Sequence, residues 1–526
     1  MAVFSGIAAL VTAGIGLAAS AATAVGAAIG SLSLGSVLLT TATLGLGVAK
    51  HFIGLSQSAK ASSPLSQAAS SGGVIDPGQS VSVRGGVVPA RLVLGTVRTS
   101  GAYFFLEVKP PYLCIGLLLA AHEINAVKRI WVNGTEVILG KNLVNPVGGT
   151  GSAATNVSNI GFADNEPWVR SDGRRLLQVS VGLGGDDQTV DPLIQALCPW
   201  VGGAFRQRGN ARIVFLAHYG NDRDEHEKVF GSSFDVSVEI EGAKPYDPRD
   251  RMQNMDDPST WTFRASPTLL QAWYLTHAFG AKAGDELIDW VSIAEGANID
   301  DQAIKTRAGA YEARYAAAGV VETTGTPQTI LERLLTANMA RLIWSMGAYK
   351  IRPALWRDPV FTIHDRIIVG DIALRRERPS DQLVNVLRTR FSEPDSDYQI
   401  VDGPVIERAD LIAFDGARRE KAIEFAFSPG APRTQRLGTM HLKESRLGRL
   451  ITVQLDISAI ILESGDCVRF DSQLMELFNG TYIVDKTILV QNMTMIEATL
   501  IETASSMFDF DPAIEEKPYV QRGVAQ

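Results

Sequence analysis

No lysine, arginine, aspartate or glutamate occurs before Lys50. That absence excludes an ordinary secretory signal, which opens with a basic stretch ahead of a short apolar core. The opening run "MAVFSGIAALVTAGIGLAASAATAVGAAIG" exceeds the roughly 20 residues that span a bilayer. Alanine, glycine, serine and threonine dominate it, however, so it is a poor insertion sequence. Gly26 and Gly30 stand in a GxxxG spacing, which lets helix backbones approach closely. Three readings stay open for this leader. It is a segment packed on itself or on a protein partner, a segment that enters a membrane only during some event, or a constitutive anchor.

Cysteine is scarce. Cys114, Cys198 and Cys467 are odd in number and far apart, which excludes a disulfide framework and a CxxC metal knuckle. Their apolar neighbours, as in "YLCIGLLLA", predict buried free thiols. Positive charge is also short: 49 Lys and Arg against 57 Asp and Glu leave a net charge of -8. Sequence-independent attraction to a nucleic-acid backbone is thereby excluded.

Catalytic signatures are missing too, with no nucleophile elbow, P-loop or HExxH. "DRDEHEK" sets His226 among Asp222, Asp224, Glu225 and Glu227, a charged loop rather than ligands on a fixed frame. Asp186, Asp187 and Asp191 in "GLGGDDQTVD" lack calcium-loop spacing and a closing glutamate, and read as turn residues. His122 and Glu123 follow an apolar strand, where a half-buried, hydrogen-bonded histidine is expected. Asn133 and Asn479 each begin an "NGT" that matches a glycosylation sequon and also a hairpin turn; the turn is the reading taken. The expectation is no catalytic residue, no metal and no cofactor.

What is present is β structure in blocks. Residues 1–55 are the apolar leader, and 56–80 form a Ser-, Pro- and Gly-rich linker. Residues 81–250 alternate strand-like runs with turns and hold a Gly-rich insertion loop, a β-rich domain. Across 251–355 the period becomes helical. Leu269, Leu270, Trp273, Tyr274 and His277 share one face, as do Leu287, Trp290, Val291 and Ala294, while Thr326 and Pro327 read as N-cap and first helical residue. Residues 356–505 are again β, and 506–526 read as an extended tail. The fold class predicted is α+β, predominantly β.

The order of these segments resembles phage tail proteins of the lambda-type tip attachment (J-like) family, the central hub of long flexible tails. The resemblance rests on "VPARLVLGTVRTSGAYFFLEV", "GLLLAAHEINAVKRIWVNGTEV", "LQVSVGLGGDDQTVDPLI", "RGNARIVFLAHY" and "VSVEIEGAKPYDPR", then "ESGDCVRFDS" leading to "GTYIVDKTILVQNMTMIEATLIE". It covers most of residues 85 to 505. It implies several tail-tube or baseplate-hub-like β domains and a homotrimer in which two related β domains per chain offer six similar faces to a hexameric tail. It further implies a virion location at the tail tip after synthesis in the infected cell's cytoplasm. The implied partners are a distal tail protein, a tape-measure protein and other tip or fibre proteins, with DNA passing a neutral or acidic lumen unbound and transient contact with a host membrane. The family's long fibronectin-like and receptor-binding extension has no counterpart in this sequence, so receptor recognition is expected of another virion protein. Two alternatives come from other classes: a membrane-penetrating protein acting through the leader, and a tail-associated cell-wall hydrolase.

Overall fold

The computed structural model describes residues 74–75, 88–139, 159–218, 230, 234–490 and 494–519. All of them fall in the second of the chain's two units, 48–526. The leader with Gly26 and Gly30, and the acidic run around His226, lie outside the described residues.

Two antiparallel sheets face one another in the N-terminal part. One has the strand order 102–109, 112–120, 211–218, 177–182, 159–162, and the other 96–99, 236–241, 126–132, 135–136. Val97, Leu117, Val179, Ile213, Phe215, Val238 and Ile240 fill the space between them. Strand Ala211–His218 is apolar almost throughout because both of its faces are covered. Ile213 and Phe215 point into the inter-sheet core, while Val214 packs under helix α1 (Pro192–Leu197) beside Cys114 and Cys198.

Strand Arg91–Leu94 joins two cores and crosses the sequence-drawn boundary at 250. It pairs antiparallel with Gly319–Glu322, which also pairs with Val74–Ile75. Its pleat sends Val93 into the β core and Leu92 and Leu94 into a helical core with Leu269, Tyr274 and Leu334. Gly95, directly after it, has φ +64, and a Cβ there would stand 2.0 Å from the Ala317 carbonyl oxygen. Gly95→Ala is therefore expected to destabilise this junction by more than about 1 kcal/mol, since it combines left-handed backbone with a backbone clash. Denaturation midpoints of the two proteins measure it, and equal midpoints would refute the clash.

The helical core is built by α2 (Pro267–Thr276), α3 (Trp290–Asp300) and α4 (Pro327–Leu335). Thr326 caps α4, its side chain accepting the Thr329 N–H at 3.3 Å, with Pro327 in the first turn as expected. Helix α2 is buried over Pro267–Leu275 on all sides rather than on one face. For α3 the expected face is wrong: Val291 is 70% exposed, and the buried residues are Ile293, Gly296, Ala297, Ile299 and Asp300. Leu287 belongs to a preceding short turn, so counting from it shifted the phase.

The C-terminal part holds a six-stranded sheet in the order 361–364, 467–471, 480–490, 495–503, 450–456, 368–375. Its two edge strands are consecutive in sequence, joined only by Asp365–Ile367. Laid flat, six strands put their edges roughly 24 Å apart, and the link from His364 to Ile368 reaches at most about 14 Å. The sheet must therefore curl until its edges approach, around Ile363, Val453, Phe470, Tyr482 and Leu500.

Between two strands of this sheet, 368–375 and 450–456, a second layer is inserted. Strand Val386–Glu393 runs parallel to Glu420–Pro429 and antiparallel to 399–402 and 406–407. Helix α5 (Ala409–Asp415) lies in the crossover, and α6 (Ala431–Arg446) packs on this sheet. The strand-like composition of 356–505 gives no sign of α6. Its buried side chains include Arg433, Thr434, Gln435, Arg436 and His441, so no apolar period marks it. Arg433 and Arg436 both pair with Glu312.

The C-terminal segment also differs from an extended tail. It holds α7 (Pro512–Glu515), and Lys517 exchanges two hydrogen bonds with Gln435 of α6. The buried Glu516 accepts the Arg307 N–H at 3.0 Å.

Candidate functional site

The acidic loop after strand 177–182 resolves into capping. Asp191 is fully buried and accepts Ser180 Oγ–H at 2.8 Å and the Leu193 N–H at 3.0 Å, so it caps α1. Arg212, also fully buried, stands 3.5 Å away through Nε and donates through Nη2 to the Thr189 carbonyl. Asp186 and Asp187 point to solvent, apart from Asp191. Among the described residues no three His, Cys, Asp or Glu side chains converge as metal ligands.

The two sequon asparagines are turn residues. Asn133 sits at φ 50 ahead of Gly134 and closes the 126–132/135–136 hairpin, its side chain accepting the Asp235 N–H. Asn479 accepts the Ser472 N–H and donates back to the Ser472 carbonyl, closing the loop between strands 467–471 and 480–490. All three cysteines are buried and free. Burial pushes Cys114 up to about 12 and Cys467 to about 11, which keeps both thiols protonated.

His122 is buried rather than half-buried. Its Nε2 accepts the Val93 N–H at 2.9 Å, and its Nδ1 lies 2.7 Å from the Glu123 carbonyl oxygen. One nitrogen accepting and the other donating describes a neutral ring, and burial holds its pKa down at about 4. The ring meets Trp273 edge-on at 5.1 Å, and Trp273 stacks on His277 at 4.2 Å. His277 is the residue that ends α2, and its N–H donates to the Trp273 carbonyl at 2.9 Å, which keeps the two rings one helical turn apart and in register to stack. The Phe279 N–H reaches His277 Nδ1, which leaves Nε2 to carry the proton, and burial lowers this pKa to about 4 as well.

These rings form one wall of a cleft of about 370 Å³ that is also lined by Trp261, Glu123, Lys244 and Asp285. Lys244 is neutralised by Glu123 at 2.7 Å. Trp261 is anchored through its indole N–H to the Asn254 carbonyl. Burial, then the neighbouring carboxylates of Glu286 and Asp256, push the Asp285 pKa upward. Sequence reading paired His122 with Glu123 and Trp273 with His277, but nothing in it joined the two pairs or added Trp261 and Asp285. The cleft presents aromatic surface and the Asp285 carboxylate, and among its described lining residues no nucleophile stands beside a base.

Residues 326–483 match the family described as putative phage tail protein, a segment under a third of the chain. No curated protein matches. Among solved structures, a chain of the native gene transfer agent (GTA) virion particle is similar at 16% identity over 94% of this chain and 97% of that one, with a TM-score of 0.55. The tail protein from Neisseria meningitidis MC58 is similar at 13% identity over 73% of this chain and 98% of that one, TM-score 0.31. The 43 kDa tail protein of prophage MuSo2 from Shewanella oneidensis is similar at 10% identity over 80% and 96%, TM-score 0.29. At 16% identity the likeness to the gene transfer agent chain is one of fold. Residues 326–483 are thus similar to a phage tail protein family, and the chain's fold is similar to that of a virion chain.

Proposed function

We propose that this chain is a structural virion protein that forms the central hub of a phage-type tail tip, three copies closing a ring around the channel. The observation that carries the reading is the tail-protein match over residues 326–483, which takes in α4, the inserted sheet with α6 and much of the curled sheet. The whole-chain likeness to a GTA virion chain supports a role in the particle. Two β domains per chain, repeated three times, present six comparable faces to a hexameric tube. In this arrangement the leader closes the lumen or meets the tape-measure protein until the tail opens for genome delivery. Native mass measurement of the assembly tests the stoichiometry: three copies are expected, and a monomer outside any ring would sink the hub reading.

The leader carries its own prediction. Gly26→Leu with Gly30→Leu should sharply reduce assembled, infectious particles, because bulky side chains block close helix packing. The β domains should stay folded, as read by circular dichroism of the purified chain. Normal assembly and infection by the double variant would make the leader dispensable.

A further inference from the structure

We propose that the cleft between Trp261, Trp273 and His277 is a receptor for a guanidinium group, the side chain of an arginine presented by a partner polypeptide. A cavity of about 370 Å³ has room for one long side chain and its neighbouring backbone. The walls are flat: the Trp273–His277 stack, with interplanar angle 25°, stands to one side, and Trp261 lines the same space. Planar, weakly hydrated guanidinium stacks on such faces, whereas a compact, strongly hydrated ammonium does so less well.

Charge selects the same ligand. Asp285 lines the cleft, and none of Asp256, Asp285 and Glu286 makes an ion pair among the described residues. The cleft's lysine is already matched by Glu123. The two imidazoles are uncharged at neutral pH and add no repulsion to an incoming cation. An anion would meet Asp285 and find no unmatched cation on the lining, and a neutral apolar group would gain nothing from that exposed carboxylate.

The full-length protein, labelled with ¹⁵N at tryptophan indoles, tests this by titration with Nα-acetyl-arginine methylamide. The citrulline counterpart serves as neutral planar isostere and the lysine counterpart as ammonium. Two indole resonances should shift saturably with the arginine compound, and Trp261→Phe should remove one of them. Citrulline should bind at least about tenfold more weakly because it lacks the charge. Lysine should bind more weakly than arginine, and Asp285→Asn, an exposed substitution that leaves the core alone, should lower arginine affinity severalfold. Absence of a saturable shift overturns the proposal. So does citrulline or lysine matching arginine, or an unchanged affinity in Asp285→Asn.

Discussion

Arg212→Met is expected to cost about 3–5 kcal/mol, because it leaves a fully buried carboxylate without its cation. Both Arg212 and Asp191 have no solvent exposure. The guanidinium also donates to the Arg206 carbonyl at 2.5 Å, Gln207 Oε1 at 3.0 Å and the Thr189 carbonyl at 2.8 Å. Its loss therefore releases three further acceptors around the loop that carries α1. The double variant Asp191→Asn with Arg212→Met should recover part of the stability. An asparagine Oδ1 can still cap Leu193 and Ile194, and no buried charge remains. Hydrogen exchange along strand 211–218, with denaturant midpoints, reads both changes. A loss below about 1 kcal/mol in the single variant would show that the pair is not what holds this corner.

Acid should destabilise the protein through its buried imidazoles, chiefly His122 and His441, since His277 is only partly buried. His122 and His441 are held at about 4 by burial against an ordinary value of 6.5. At His441 burial is the largest effect, the Lys421 ammonium and Arg378 oppose protonation with it, and only Glu444 favours the charged ring. Between pH 6.5 and 4 the unfolded chain binds protons that the folded chain refuses. Stability present above 6.5 is therefore lost as pH falls, by roughly 3 kcal/mol for each ring. Asp300 works the other way. Burial raises it to about 6, so the stability it contributes is present below its ordinary value of 3.8 and is lost as pH rises through 6. The clean measurement is a difference. His122→Gln with His441→Gln should lose roughly 6 kcal/mol less than the unaltered chain between pH 7 and 4, since a neutral amide has no proton to gain. Parallel pH profiles for the two proteins would refute the assignment.

The sequence by itself determined the elements whose signals are local. Thr326 and Pro327 announce the start of α4, Asn133 and Gly134 announce a hairpin, and three apolar-flanked cysteines announce buried thiols. Each depends on a few neighbouring residues, and each appears in the structure where expected. The predominance of β structure was legible for the same reason, because runs such as "ARIVFLAH" and "LITVQLD" carry strand composition within themselves.

Tertiary structure alone decided what depends on distant partners. Helix α6 was invisible because arginines paired to Glu312, more than a hundred residues earlier, occupy positions that apolar residues would otherwise mark. Strand 91–94 binds two cores only because it pairs with 319–322. The curling of the last sheet follows from which strands become neighbours, not from what any strand contains. The cleft has the same origin: His122 follows strand 112–120 while Trp261, Trp273, His277 and Asp285 lie far along the chain in the helical stretch, and no spacing encodes their meeting. Hydrophobic pattern and turn chemistry act over a few residues, whereas packing and ion pairing act through space.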